Sequence, residues 1–308
     1  VVTVHSGTQA LELIARYKIS TLSQTNNPKP TITLPNISYP ATLNAFLNAG
    51  WNVILNDTDK YGISNFNLDL NCVVGLYGRL PWYHESKGLS STNRPRSESN
   101  SIVDGAQHWL VAKNKFGLAM AISFDPTKNL CASGNGGAIV TDDERLYAYA
   151  LNYRDNGKPS EFFTTGTNSK MSELDCAHVL VRAKYIDQWQ RRRSEIAEYW
   201  CKAFWDFPFR CLSDGEYVPH AHQKFVIYGN DRSSLHTNLL LDGIDTKIHY
   251  PYVLGELHEA VYLQKPDLLS TSVMLTRGVL SLPIYPELTD EEVDYIIDKI
   301  ADCYKNIS

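Results

Sequence analysis

Five short apolar runs, each closing on polar residues and separated by helical stretches, constrain this chain most. They lie at 31–34, 51–55, 72–76, 101–103 and 118–122. Between the first two, residues 41–49 read as a helix ended by Gly50, a residue suited to the cap after a helix. Strands alternating with helices predict an α/β fold around a mainly parallel sheet. In such sheets ligands bind beyond the carboxyl ends of the strands. That rule gathers Tyr39, Asp57, Asp104, Gln107, Ser123 and Lys128 along one edge.

The stretch from Ser123 to Thr141 carries the clearest chemical signal. It reads as strand, loop with Lys128, glycine cluster (Gly134, Gly136, Gly137), strand. A single amine aimed into a pocket can form Schiff bases with carbonyls when its pKa is lowered. Glycines let backbone approach a bulky ligand. Upstream, Ser6-Gly7-Thr8 feeds a helix expected from about Thr8, with Leu11, Ile14 and Ala15 on one stripe. A helix N-terminus with free N–H groups and two hydroxyls is a ready anion site.

Composition narrows the function classes. The net charge is −5 and the sequence pI about 6.0, without the basic excess of a nucleic-acid binder. No apolar run approaches the roughly 20 residues that span a bilayer. The six cysteines are scattered without a C-x-x-C pair, which argues against structural zinc and for a reducing, cytoplasmic setting.

Past Thr141 the pattern changes. Residues 142–153 read as a helix and 157–168 as polar and irregular. A long helical stretch follows over 172–204, with Leu174, Ala177, His178, Val181 and Tyr185 on one stripe. Strands are expected at 223–228 and 246–249, helices at 233–241 and from Thr289, where Asp290, Glu291 and Glu292 fill the first turn. This predicts a large domain over 1–190 and a smaller α+β domain over 191–308. His220 and His222 alternate on a strand, too few ligand types for a metal site, so no metal is expected.

The motifs taken in order resemble the sugar aminotransferases of the DegT/DnrJ/EryC1/StrS family, pyridoxal-phosphate enzymes of fold type I. Ser6-Gly7-Thr8-Gln9-Ala10-Leu11 resembles the family's phosphate turn, Ser38-Tyr39-Pro40-Ala41-Thr42 its "TF-x-AT", and Tyr77-Gly78-Arg79-Leu80-Pro81 its "hlYGqp". Asp104-Gly105-Ala106-Gln107 resembles "eDaAq". Ser123-Phe124 with Lys128 and Gly134-Asn135-Gly136-Gly137 resembles "SF-x-x-x-K…GeGG". Gly166-Thr167-Asn168-Ser169-Lys170-Met171, His249-Tyr250-Pro251 and Ser281-Leu282-Pro283-Ile284 complete the series. The joint order is far more specific than any one motif.

The resemblance implies a fold type I architecture and pyridoxal 5'-phosphate as cofactor. It implies transfer of an amino group from L-glutamate or glutamine to a keto group on a nucleotide-linked sugar, through a Lys128 internal aldimine and a pyridoxamine phosphate intermediate. Lys128 would also shuttle the proton, Asp104 would pair with the ring nitrogen, Gln107 would reach the ring oxygen and Tyr39 would stack on the ring. Ser6, Gly7, Thr8 and Ser123 would hold the phosphate. Asn168 would reach the neighbouring subunit's phosphate, implying a homodimer with shared sites. Arg79, His108, His249 and Tyr250 are candidate substrate contacts. Cyclitols or other cyclic ketones are alternative acceptors, and a degenerate non-enzymatic binding or regulatory protein is the alternative from another class. Against the family pattern the chain reads as shortened at its N-terminus, compressed between Asp57 and Val73, and polar rather than helical over 84–100.

Overall fold

The computed structural model describes residues 1–22, 29–63, 70–81, 101–112, 117–158, 165–213, 218–257, 262–263 and 270–305. The polar stretch over 84–100 lies outside the described residues, as does part of the segment between Asp57 and Val73.

The parallel strands expected from the apolar runs are β2 (Thr31–Pro35), β3 (Asn52–Asn56), β4 (Cys72–Val74), β5 (Ile102–Asp104) and β6 (Ala119–Ser123). β1 (Val2–Val4) and β7 (Gly137–Thr141) complete a five-stranded sheet in the order β1-β7-β6-β5-β4. Within it β4, β5 and β6 run parallel, while β7 is antiparallel to both of its neighbours. β2 and β3 pair in parallel, and a parallel bridge between Thr33 and Asn71 carries the sheet across to β4. A late segment, β10 (Tyr262–Leu263), returns to pair with β3. The fold class is therefore the expected α/β one, with a mixed and mainly parallel sheet.

Helix α1 (Gly7–Leu22) begins one residue before the expected start, because the Ser6 side chain accepts a hydrogen bond from the Gln9 N–H at 3.1 Å and caps it. Its apolar stripe, Leu11, Ile14 and Ala15 included, is buried against the sheet. Helix α2 (Pro40–Asn48) opens on a proline, whose missing N–H costs nothing in a first turn. It closes at Gly50, whose φ of +92° is the left-handed conformation glycine adopts without strain. Helix α3 (Glu144–Tyr153) is capped by the Asp143 carboxylate, which accepts from the N–H groups of Arg145 and Leu146.

The stretch over 172–204 is two helices rather than one: α4 (Glu173–Ala183) and α5 (Ile186–Ala203), separated at Lys184-Tyr185. The stripe noted on its first half stays at the surface of this chain, with Leu174 85% and Val181 56% exposed. α5 instead buries Ile196, Ala197 and Trp200 in a second core, against β9 (Phe225–Tyr228), β11 (Val279–Leu282), α6 (Arg232–Leu241) and α8 (Asp290–Lys305). β8 (Arg210–Cys211), β9 and β11 form an antiparallel sheet in the order β11-β9-β8. The strand expected at 246–249 is reduced to a single bridge, Lys247 with Ser281. α8 starts as its sequence predicts: Thr289 Oγ1 accepts from the Glu292 N–H, and the Glu292 carboxylate accepts from the Thr289 N–H.

Helix α7 (Ser270–Gly278) went unrecognised in the sequence. Its start is capped by Asp57, whose carboxylate accepts from the N–H groups of Thr271 and Ser272 and from the Ser272 hydroxyl. Asp57 is thus committed to a helix N-terminus 214 residues away in the chain, and it is not among the residues that line the main cavity.

Candidate active site

Where β5 and β6 end and α1 and α2 begin, a cavity of about 1200 Å³ opens toward the C-terminal half of the chain. Ser6, Gly7, Thr8, Tyr39, Asp104 and Gln107 line one side of it, with Ser123 and Lys128. Residues from the other half of the chain, among them Lys224, Lys247, His249 and Tyr250, line it as well.

Asp104 is the last residue of β5 and is 7% exposed. Its Oδ2 accepts from the Thr42 hydroxyl at 2.8 Å, and its Oδ1 accepts from the Ala106 N–H at 3.1 Å. Thr42 has one O–H to give. The 2.8 Å contact between Ser38 Oγ and Thr42 Oγ1 therefore runs from Ser38 to Thr42, making a two-hydroxyl relay that ends on the carboxylate. Burial pushes the Asp104 pKa up, while the Thr42 and Ala106 hydrogen bonds and the Lys128 charge pull it back. Ser38 and Thr42 were not singled out for this role in the sequence. Ser38 stands two residues before α2 and Thr42 in its first turn, so a hydroxyl pair flanking a helix start beside a strand that ends on Asp104 is the signal that could have found them.

Gln107 is held at both ends of its amide. Its Oε1 accepts from the Tyr77 N–H at 2.5 Å, and its Nε2 donates to the Tyr250 hydroxyl at 3.1 Å. One proton of that amide remains for a ligand. The Tyr250 ring lies 6.1 Å from that of Tyr39, tilted by 47°. Tyr39 is 57% exposed, an aromatic face turned to the open cavity.

The anion end of the cavity is built from α1. The Gly7 and Thr8 N–H groups belong to the first turn, where no intrahelical acceptor exists. Gly7 packs against Ser123 so closely that a Cβ added to it would sit 2.7 Å from the Ser123 Cβ, so only glycine fits this turn. The Ser123 hydroxyl accepts from the Asp125 N–H at 3.3 Å and keeps its own proton to donate.

Lys128 sits on the turn after β6, where its N–H donates to the Asp125 carbonyl at 2.9 Å. It is half-buried, and desolvation lowers its pKa against the pull of Asp104 and Asp125. A lysine so placed reaches its neutral, nucleophilic form more readily than a surface lysine.

On the facing side, His249 Nδ1 lies 2.8 Å from Ser281 Oγ. Its pKa is pushed down to about 3 by burial and by the charges of Lys224, Lys247 and Lys128, so the imidazole is neutral at physiological pH. Lys224 was overlooked in the sequence because a lysine directly before an apolar strand ordinarily reads as a solvated strand end.

Other candidates lie away from the cavity lining. Arg79 is buried, its guanidinium 4.0 Å from the Tyr61 ring centre. His108 is fully buried against Gly75, and burial lowers its pKa to about 3. Asn168 is exposed and bridges to Asp155. His220 and His222 stack with ring centres 4.5 Å apart, and the His222 N–H donates to His220 Nδ1 at 2.9 Å. Among the described residues no group of three or more His, Cys, Asp or Glu could hold a metal ion. None of the helices among the described residues is long and apolar enough to cross a membrane.

The donor set fits pyridoxal phosphate: free N–H groups and a hydroxyl for a dianion, a buried carboxylate for a ring nitrogen, an aromatic face, and an amine of lowered pKa, all around one cavity. The fold is that of the PLP-dependent fold type I transferases. The crystal structure of S. venezuelae DesV in complex with a ketimine intermediate superposes with a TM-score of 0.82 at 25% identity, covering 98% of this chain and 84% of that one. Two curated relatives are a pleiotropic regulatory protein from Geobacillus stearothermophilus, 31% identical over 66% of this chain and 56% of its own length, and a dTDP-3-amino-3,4,6-trideoxy-alpha-D-glucose transaminase from Streptomyces venezuelae, 33% identical over 59% and 49%. The chain spans about half the length of these two relatives. The sequence model of the DegT/DnrJ/EryC1/StrS aminotransferase family matches residues 112–301, and the chain belongs to that family.

Proposed function

We propose that this chain is a PLP-dependent aminotransferase that moves an amino group from L-glutamate or glutamine to a keto group of a nucleotide-linked sugar. The observation that carries the reading is the convergence of Lys128, Asp104 and the α1 N-terminus on one cavity. Pyridoxal phosphate, when bound, supplies the electron sink that lets an amino group and a proton be exchanged at a substrate carbon. The α1 N-terminus, Ser6, Thr8 and Ser123 hold its phosphate. Asp104, kept in place by Thr42 and Ala106, offers a carboxylate to the ring nitrogen. Gln107 has an amide proton for the ring oxygen, and Tyr39 covers the ring face. The Lys128 amine takes and returns the proton at the substrate carbon, help of a kind typically worth about 10²–10⁴-fold.

The sugar acceptor is supported by the Streptomyces relative, which is a transaminase of a dTDP-linked amino sugar. The working unit in this reading is a cytoplasmic homodimer, with the exposed Asn168 reaching the partner's phosphate. For the division into 1–190 and 191–308, one core is centred on α1 and the parallel sheet and another on α5, α8 and β9, while a third, with Ile37, Leu76 and Tyr77 packed with Leu212, Val226 and Tyr250, ties the two parts together.

The Geobacillus relative's description as a regulatory protein favours a second reading, a binding module that keeps the fold. One experiment separates the two. Visible absorbance is recorded on the protein with pyridoxal phosphate, before and after L-glutamate, for wild type and Lys128→Ala. The enzyme reading expects a yellow band that glutamate bleaches, absent in a folded Lys128→Ala that no longer turns over. A band indifferent to every amino donor, or normal turnover in Lys128→Ala, would sink it.

A further inference from the structure

Lys128 stands on a turn whose two flanks are held from the other half of the chain. The turn is closed within itself. The Asp125 carboxylate accepts from the Thr127 N–H and hydroxyl at 2.9 and 2.6 Å, and the Ala132 N–H donates to the Phe124 carbonyl at 2.8 Å. On one side of the lysine, the Thr127 carbonyl accepts from Gln223 Nε2 at 3.0 Å. On the other, Asn129 Nδ2 donates to the Ala221 carbonyl at 2.7 Å and to Gln190 Oε1 of α5 at 3.1 Å, which uses both protons of its amide. Asn129 and Gln223 are each 7% exposed, so these bonds lie in the low dielectric of the interior.

The segment over 221–223 is itself pinned. The Ala221 N–H donates to the Gly78 carbonyl at 2.7 Å, and the Lys224 N–H to the Tyr77 carbonyl at 3.1 Å. The buried Arg193 guanidinium of α5 donates to the His222 carbonyl at 3.2 Å and to the Ile284 carbonyl at 2.7 Å. His222 has a φ of +43°, a conformation that favours glycine. Backbone strain of that kind persists where the surroundings over-determine it, and it clusters at functional sites. Here the strained residue lies between the two that grip the Lys128 turn.

We infer that Asn129 and Gln223 are positioning residues for Lys128: they clamp the backbone on either side of it and so set where its amine stands in the cavity. The use of that amine rests on the aminotransferase reading; the clamp itself rests on the hydrogen bonds alone. A lysine stem is flexible, so its reach is decided by where its backbone is held. Misplacing a reacting group by about 1 Å can cost about 10²-fold in rate. Asp104 and Asp125 draw on the Lys128 charge, Lys224 is pressed by it, and His249 stays neutral beside them. Gln223→Met and Asn129→Leu alter none of these groups. Each removes one side of the clamp and keeps the side-chain bulk.

The test is competitive labelling of the chain, freed of cofactor, with trace acetic anhydride over about pH 6 to 11, a range that brackets an ordinary lysine. Peptide mass spectrometry then gives the titration of each lysine amine. Burial lowers the Lys128 pKa, so a turn released toward water should titrate closer to a surface lysine. The Lys128 midpoint is expected to rise by roughly half a unit or more in each variant. Lys18, lowered by burial, and Lys299, raised by its bond to Asp242, should keep their midpoints, and each reports on one half of the fold. In the loaded enzyme kcat should fall about tenfold or more while the donor's KM stays nearly unchanged. A Lys128 titration equal to wild type in either variant overturns the proposal for that residue, even where urea unfolds the variant earlier, because the amide would then only hold the turn together. Lys128 shifting together with Lys18 and Lys299 also overturns it, since the whole fold would have loosened. The cofactor's visible band reports independently on the aminotransferase reading. If glutamate never bleaches it, that reading fails and the labelling still decides the clamp.

Discussion

The two walls of the cavity are built on opposite plans. On the wall from the N-terminal half, two key polar groups already have their protein partners: Asp104 has Thr42 and Ala106, and Gln107 has the Tyr77 N–H and the Tyr250 hydroxyl. Of the lining residues from the C-terminal half, Lys224 has none among the described residues, and His249 is kept uncharged mainly by burial, with the charges of Lys224, Lys247 and Lys128 adding to it. The first arrangement suits a resident group bound in one pose, because pre-formed hydrogen bonds need no reorganisation when charge develops. The second suits ligands that come and go, because the ligand itself completes the electrostatics.

Three experiments would break or sharpen that contrast. The largest effect is expected from Asp104→Asn, which keeps the shape of the satisfied wall and removes its charge. Turnover should fall about 10²–10³-fold, the size of losing one pre-organised electrostatic partner. A smaller loss than tenfold would mean that the carboxylate is not the wall's working group.

Thr42→Val comes next. It leaves the Asp104 carboxylate and the Ser38 hydroxyl short of a partner, at a cost of about 1–3 kcal/mol in urea unfolding. Because the Thr42 hydrogen bond lowers the Asp104 pKa, its loss should move the carboxyl titration, followed by carbon NMR, to higher pH. Thr42→Ser should restore it. An unmoved titration in Thr42→Val would show that the relay does not act on Asp104.

The smallest effect concerns acid stability. His249 and His108 have pKa values pushed down to about 3, and His222 to about 4, each mainly by burial. A folded-state pKa below the unfolded one favours the fold while the imidazole is neutral. That contribution is complete above the ordinary histidine range near 6.5 and is lost as pH falls toward these values. Urea midpoints should therefore decline steadily from about pH 6.5 to 4. In Lys224→Met the His249 titration alone should shift upward, since one of the cations depressing it is gone. A His249 titration identical to wild type would separate the two residues and weaken the picture of a shared cationic wall.

The sequence by itself determined whatever depends on near neighbours. The helix start at Thr289, the turn of Ser6-Gly7-Thr8, the strands leading into Asp104 and Ser123, and the loop bearing Lys128 were all legible, because each is written in a few consecutive residues. The cofactor-side motifs were legible for the same reason. Tertiary structure alone decided which side chains those residues would meet. Thr42 reaches Asp104 across 62 residues, Gln107 reaches Tyr250 across 143, and Asp57 goes to α7 rather than to the cavity edge. The division of 172–204 into a surface helix and a core helix was likewise invisible, since both halves carry an amphipathic pattern and only packing tells them apart. Lys224 was hidden for the deepest reason. A lysine's meaning depends on what surrounds its ammonium, and burial, neighbouring charge and the absence of a partner are properties of assembled space that no stretch of consecutive residues encodes.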